Sequence, residues 1–361
     1  MRTLDEIKDD IRSRVGHRVP FLHADMVAVE SALTRLTDVE PERWAATWSE
    51  IGAEWEKKAE DAEAAGSAQL AQEAYLKAYG YYGIARHPFP NSPGKHQAYL
   101  KTREMFRAAA RYFDIPIETV SIPFRDRAIV GHLRLPAKLP TPLVMHWGGI
   151  DNWKEERHTF AEAFVREGWA CFVMDSPGTG ECPVLASPHA HEAHSTALDY
   201  LIARPEIQAD RIAVVGASFG GYWSTKLAYV EHQRLRAAVN WGGGVHYFFQ
   251  PDWQEKSRNA PSYLFDLIEA RANLFGKKTF EELILAMPAL SLKTQGWLEK
   301  PCAPLLLVNG KDDKQVPIED FYLLLETGDP KPARLFPGGH MGGIPEIFRT
   351  ITKWLHQQLD N

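Results

Sequence analysis

The chain has 361 residues, enough for one catalytic domain plus an added module. Apolar residues make up 45% and charged residues 24%, a globular balance that excludes a disordered chain. A net charge of −6, spread without acidic or basic blocks, argues for solubility and against a nucleic-acid partner.

The opening MRTLDEIKDDIRSR alternates charges and lacks the apolar core of a signal peptide. No run approaches the roughly 20 apolar residues of a membrane span, so a cytoplasmic protein without membrane contact is expected. Cys171, Cys182 and Cys302 are scattered without CxxC spacing, which points to reduced thiols rather than a disulfide framework or zinc site.

Residues 1–117 read as a helical domain. Trp44, Trp48, Ile51 and Trp55 recur at helical spacing and share one face. A break is expected at Gly66-Ser67, followed by a stripe of Tyr75, Tyr79 and Tyr82 and a third of Tyr99, Arg103, Phe106 and Ala110. Such stripes are packing surfaces first. A helical segment so rich in aromatics could also cover an active site or join two subunits, and the pattern does not separate these roles.

From residue 118 the period changes to two. Val120, Ile122 and Phe124, then Ile129, Gly131, Leu133 and Leu135, flank the turn Arg125-Asp126-Arg127 and predict a β-hairpin. Short apolar runs then alternate with helical stretches: PLVMHW, WACFVMD, RIAVVGAS, LRAAVNW, APLLLVNG and PARLF are the predicted strands. Strands alternating with helices predict an α/β domain over 118–361, with a mainly parallel sheet covered on both faces. Residues 245–300 interrupt the alternation and predict a cap insertion at the carboxyl ends of the strands, placed to shape a pocket.

RIAVVGASFGG runs from an apolar strand into Gly216-Ala217-Ser218-Phe219-Gly220, the G-x-S-x-G pattern of a nucleophile elbow. A serine on a strained strand-to-helix turn needs small neighbours two residues away, and its hydroxyl then stands above the sheet. That hydroxyl needs a base, and a neutral histidine base needs a carboxylate to fix its tautomer. After the strand PLLLVNG, the register of G-x-x-D-x-x-V-P from Gly310 selects Asp313 as the acid over Asp312. His340 follows in the glycine-rich loop PGGHMGG, in the required order after serine and aspartate.

The oxyanion hole needs two backbone N–H donors. Phe219 supplies one, and the turn His146-Trp147-Gly148-Gly149-Ile150-Asp151 the other, from Gly149 or its neighbour Ile150. His246, Trp147 and Trp241 are the candidate substrate-binding residues. Asp175-Ser176-Pro177-Gly178-Thr179-Gly180-Glu181 lacks the phosphate-binding patterns and reads as a structural turn beside the site. His189, His191 and His194 do not share one helix face, so neither a metal nor a cofactor is expected.

These motifs, in this order, resemble the α/β-hydrolase superfamily across about residues 118–361. WSEIGAEWEKKAEDAEAAGSAQLAQEAYLKAYGYYGIA, GGIDNWKEE and DSPGTGE resemble the branch containing 2,6-dihydroxypseudooxynicotine hydrolase, fungal polyketide-shortening pigment hydrolases of the yellowish-green type, and relatives of fermentation-respiration switch protein. WGGGVHYFFQPDW, at 241–253, is most similar to the polyketide-shortening members. The resemblance implies a Ser218–Asp313–His340 triad that hydrolyses a carbon–carbon bond beside a ketone, and a helical segment that caps the site and helps form a homodimer. The expected substrate is therefore an aromatic or polyketide-like β-dicarbonyl compound. A carboxylesterase is the alternative, because the same triad serves esters. A non-catalytic binding protein on this fold is the third reading.

Overall fold

The computed structural model describes residues 2–258 and 263–360. They form two compact units: one running to Ile117 and taking in Leu264–Asp266, the other comprising Glu118–Tyr263 and the chain from Leu267 onward.

The first unit is built from five helices, α1 (Leu4–Arg14), α2 (Met26–Arg35), α3 (Pro41–Ala64), α4 (Ala68–Arg86) and α5 (Pro93–Ala110). The Glu40 side chain accepts the free N–H groups of Glu42 and Arg43 and so starts α3, with Pro41 in its first turn. Trp44, Trp48 and Ile51 are buried together, and the Trp44 Nε1–H donates to Ile84 O at 2.7 Å. Trp55 is only half-buried at the end of this face, with the ammonium groups of Lys58 and Lys77 over its ring. Gly66, at φ 73°, ends α3 where the break was expected. Tyr75, Tyr79 and Tyr82 join a second cluster with Met105, Phe106 and Ala109 of α5. On α5 the buried face is rotated relative to the expected stripe: Thr102, Met105 and Ala109 are buried, whereas Arg103 and Ala110 are half-exposed. Leu264 and Phe265 also belong to this unit's core, the Phe265 ring lying 4.7 Å from that of Trp44.

The second unit carries an eight-stranded sheet in the order β1-β2-β4-β3-β5-β6-β7-β8. Its strands are β1 (Glu118–Phe124), β2 (Arg127–Arg134), β3 (Thr141–Trp147), β4 (Ala170–Met174), β5 (Ile207–Ala217), β6 (Ala237–Trp241), β7 (Leu305–Gly310) and β8 (Ala333–Phe336). The hairpin forms as expected, except that Arg127 pairs with Phe124, so the turn is Arg125-Asp126 alone. Strands β3 to β8 are parallel, and β2 joins antiparallel to β4. Register pairs Trp147 with Gly216 and Ala217 with Trp241, so the carboxyl ends of β3, β5 and β6 finish level. Loops leaving that edge therefore converge. The covering helices include α6 (His158–Arg166), α7 (Glu192–Ile202), α8 (Phe219–Val230), α12 (Ile318–Glu326) and α13 (Ile344–Leu359).

Between β6 and β7 lies the insertion, with α9 (Pro251–Ser257), α10 (Leu267–Leu274) and α11 (Phe280–Ala286). Residues 259–262 of the expected insertion lie outside the described residues. Asp320, at the start of α12, anchors its entry: the carboxylate accepts the backbone N–H groups of His246, Tyr247 and Phe248 at 2.8–2.9 Å.

Candidate active site

Strand β5 ends one residue before Ser218, and α8 begins one residue after it. Ser218 has φ 56° and ψ −126°, a strained conformation for a non-glycine residue. Its own backbone bonds maintain the turn: its N–H donates to Trp241 O at 2.7 Å, and its carbonyl accepts from Gly221 N at 2.7 Å. A Cβ on Gly216 would sit 1.9 Å from Gly220 O, and one on Gly220 2.6 Å from Gly148 O. The two glycines of the elbow are thus required by close backbone approach.

His340 reaches this serine from the β8–α13 loop. Its Nε2 lies 2.8 Å from Ser218 Oγ, and its Nδ1 2.7 Å from Asp313 Oδ2. A carboxylate can only accept, so Nδ1 carries the proton and Nε2 is left to accept the serine hydroxyl proton. Asp313 is buried in the loop after β7, whereas Asp312 is exposed and donates its backbone N–H to Gly338 O. Burial disfavours the Asp313 charge. The His340 ring and donors from Asn309 and the Gln315 backbone outweigh it and hold the carboxyl below its ordinary pKa.

Asn309, which sequence reasoning missed, joins the acid to the histidine loop. Its Nδ2 donates to Asp313 Oδ2 at 2.9 Å, while its Oδ1 accepts from Met341 N at 3.0 Å. Met341, at φ 65°, is held from its other side by the Trp241 indole, which donates to Met341 O at 2.9 Å. The only sequence signal for Asn309 was a polar residue near the end of an otherwise apolar strand.

Gly149 faces Ser218: a Cβ there would stand 2.9 Å from Ser218 Cβ, 3.1 Å from its Oγ and 3.6 Å from Phe219 N. Phe219 opens α8, so its N–H has no acceptor one turn back along the helix. The structure therefore brings together Ser218, Asp313, His340, Phe219 and Gly149.

Trp147 and Trp241 are corrections to the expected substrate-binding set. Both are essentially fully buried, with the Trp147 Nε1–H spent on Gly220 O at 2.8 Å and that of Trp241 on Met341 O. They support the elbow and the histidine loop from below and leave no free face for a ligand. His246 is half-exposed, with Nδ1 2.7 Å from Ser291 Oγ and its ring beside Tyr247, which ties it to the insertion.

The turn holding Gly149 is braced by groups the sequence did not single out. His146 Nδ1–H donates to Val215 O, and its Nε2 accepts from Arg157 Nε at 2.9 Å; burial and the adjacent guanidinium keep this ring neutral. Arg157 also donates to Asn152 Oδ1 at 3.2 Å. The GGIDNWKEE and DSPGTGE segments meet in a buried ionic cluster: Lys154 Nζ lies 2.8–2.9 Å from carboxylate oxygens of Glu155, Asp175 and Glu181. The Asp175 turn thus pins the loop after β3, as a structural element beside the site. Of the clustered histidines, His194 is buried against the Trp147 and Trp223 rings and His191 Nδ1 bonds Pro188 O. Among the described residues no group of three or more His, Cys, Asp or Glu side chains is arranged to hold a metal ion. Nor, among them, is any helix long and apolar enough to cross a membrane.

A mainly parallel sheet with a serine at the strained strand–helix turn places the protein among hydrolases of the α/β-hydrolase fold. Within that superfamily the chain belongs to the esterase FrsA-like family, whose profile matches residues 31–359. It is 25% identical over 340 residues to the esterase FrsA of Photobacterium profundum, covering 91% of this chain and 80% of that one. Esterase FrsA of Yersinia pestis is 27% identical over 291 residues, covering 79% and 69%. Among solved structures, 2,6-dihydroxy-pseudo-oxynicotine hydrolase superposes with a TM-score of 0.78 at 22% identity, over 98% of this chain and 95% of that one. Wild-type AbyA5 superposes with a TM-score of 0.76 at 23% identity, over 99% and 93%. At these identities the structural likeness is one of fold.

Proposed function

We propose that this chain is a serine hydrolase acting on a small-molecule carbonyl compound, with Ser218 as nucleophile, His340 as base and acid, and Asp313 as its orienting carboxylate. The observation that carries the reading is the unbroken hydrogen-bonded chain from Asp313 through His340 to Ser218 at the elbow. Ser218 Oγ attacks the carbonyl carbon as its proton passes to His340 Nε2. The amides of Phe219 and Gly149 receive the developing oxyanion. Collapse expels the leaving fragment, which takes the proton back from His340, and leaves an acyl group on Ser218, which water removes with the neutral His340 again as base.

Within this class the bond proposed to break is a carbon–carbon bond beside a ketone, in an aromatic or polyketide-like β-dicarbonyl compound. The likeness of residues 241–253 to polyketide-shortening enzymes supports it, as does full-length similarity in fold to 2,6-dihydroxy-pseudo-oxynicotine hydrolase. The departing fragment then leaves as an enolate and is protonated at carbon, a demand an alkoxide does not make. His246 is the candidate polar group for stabilising that enolate as it leaves, with His340 returning the proton. Ester hydrolysis is the second reading, favoured by the esterase description of the family.

Purified enzyme assayed on β-diketones and on p-nitrophenyl esters of matching size decides between them. Faster β-diketone cleavage, with His246→Ala harming it much more than ester hydrolysis, supports the first. Efficient ester turnover with no cleavage across the β-diketone panel overturns it. The homodimer is proposed from the resemblance alone and is tested by sedimentation of the purified protein.

A further inference from the structure

Arg271 of α10 is a buried cation in the catalytic unit. Its side chain is buried, and among the described residues it has no carboxylate partner. Removing a guanidinium from water costs several kcal/mol unless the site returns it in hydrogen bonds and charge. Here Nη1 donates to Gln254 Oε1 at 2.8 Å and Ser257 Oγ at 2.7 Å, both on α9, and the Phe248 ring lies 5.0 Å away. Nη2 points to Gln315 O at 3.4 Å, an oxygen that also accepts from the Trp253 indole at 3.2 Å.

That oxygen belongs to the peptide group joining Gln315 to Val316. The N–H of the same peptide, on Val316, donates to Asp313 Oδ1 at 3.1 Å, beside the Gln315 N–H at 2.7 Å. Donors pulling on a peptide oxygen polarise the group and strengthen its N–H as a donor. We propose that Arg271 is a positioning residue for the triad, acting through the Gln315–Val316 peptide to hold the Asp313 carboxylate in place and ionised. The proposal rests on the serine-hydrolase reading above. It makes the insertion part of the machinery: α9 and α10 meet on one carbonyl, which is two hydrogen bonds from His340.

Burial lowers the Arg271 pKa to about 10, while Tyr263 and Asp313 oppose the shift, so the group is charged at neutral pH. Among the described residues the other charged groups facing Asp313 are few. His340 comes from the β8–α13 loop; Lys311, Asp312 and Lys314 of its own loop are exposed. The Asp320 carboxylate on α12 is engaged by the backbone of residues 246–248. Among the described residues Arg271 is therefore the buried cation of this neighbourhood. Removing a buried positive charge makes nearby titratable groups easier to protonate.

The test is the rate at which a fluorophosphonate labels Ser218, followed across about pH 5 to 9. Arg271→Met is expected to lower the neutral-pH rate at least several-fold and to move the acid limb upward by about half a unit or more. Arg271→Lys keeps the limb in place. Trp253→Phe, which removes a neutral donor from the same oxygen, slows labelling without moving the limb. If Arg271→Met does not fold, Arg271→Gln carries the same expectation. A neutral Arg271 variant with an unmoved limb overturns the proposal, as does an equal shift in Trp253→Phe. Absence of labelling in the parent protein overturns instead the serine-hydrolase reading.

Discussion

The turn at Ser218 and the insertion between β6 and β7 reach the same edge of the sheet but are held in different ways. The elbow is held by backbone: Ser218 N–H on Trp241 O, Ser218 O on Gly221 N, and glycines where a Cβ would strike a carbonyl. The insertion is held by side chains against backbone: Asp320 on the amides of 246–248, Gln254 Nε2 on Phe248 O, and Arg271 on Gln315 O. Backbone constraint leaves its mark in five consecutive residues. Side-chain constraint leaves only isolated polar residues in unremarkable sequence. A motif search therefore finds the first and passes over the second.

The largest effect is expected at the elbow itself. Ser218→Ala is expected to keep the fold and lower turnover at least about a thousandfold, because the covalent route is lost. His340→Ala costs a similar amount, and the double variant loses little more, since the two act as a unit. Steady-state rates that multiplied independently would refute the shared role.

Asp313→Asn should lower turnover roughly a thousandfold or more by removing the carboxylate that orients His340. Its pH signature has a defined sign. The folded pKa of Asp313 is depressed, so its stabilising contribution is complete above the ordinary carboxylate value and is lost as pH falls through the folded one. The stability difference between the parent and Asp313→Asn, measured by denaturant unfolding, should shrink below about pH 4. A difference that grew on acidification would contradict the assignment.

In the insertion, Asp320→Ala leaves three backbone N–H groups without their acceptor. A loss of about 3 kcal/mol in unfolding free energy is expected, tempered where water reaches the amides. A denaturant midpoint shift worth less than about 0.5 kcal/mol would show that the carboxylate does not hold the segment. Smallest of all is Asp312→Asn: the residue is exposed, and turnover should stay within about tenfold of the parent. A steeper loss there than in Asp313→Asn would shift the acid by one residue.

By itself the sequence determined what short stretches of chain can encode. The change of period near residue 118, the break at Gly66, the hairpin and the strand–helix alternation all follow from which residues a helix or strand can bury. The elbow and the order Ser218, Asp313, His340 were legible for the same reason, since turn sterics and loop glycines act over a few residues. Tertiary structure alone decided that Trp147 and Trp241 lie beneath the site, and that Leu264–Asp266 belongs to the helical unit. It alone decided that Asn309, Lys154 and Arg271 are buried. A tryptophan at a strand end looks the same in sequence whether its indole meets a ligand or a carbonyl. A lysine or arginine between helical residues looks like a solvated surface charge until the fold brings its partner to it. Trp241 meets Met341, Lys154 meets Asp175 and Arg271 meets Gln315 across separations that no local pattern spans. Such pairs exist only once the sheet has fixed where its loops return, because a hydrogen bond depends on position to a fraction of an ångström and periodicity specifies only a face.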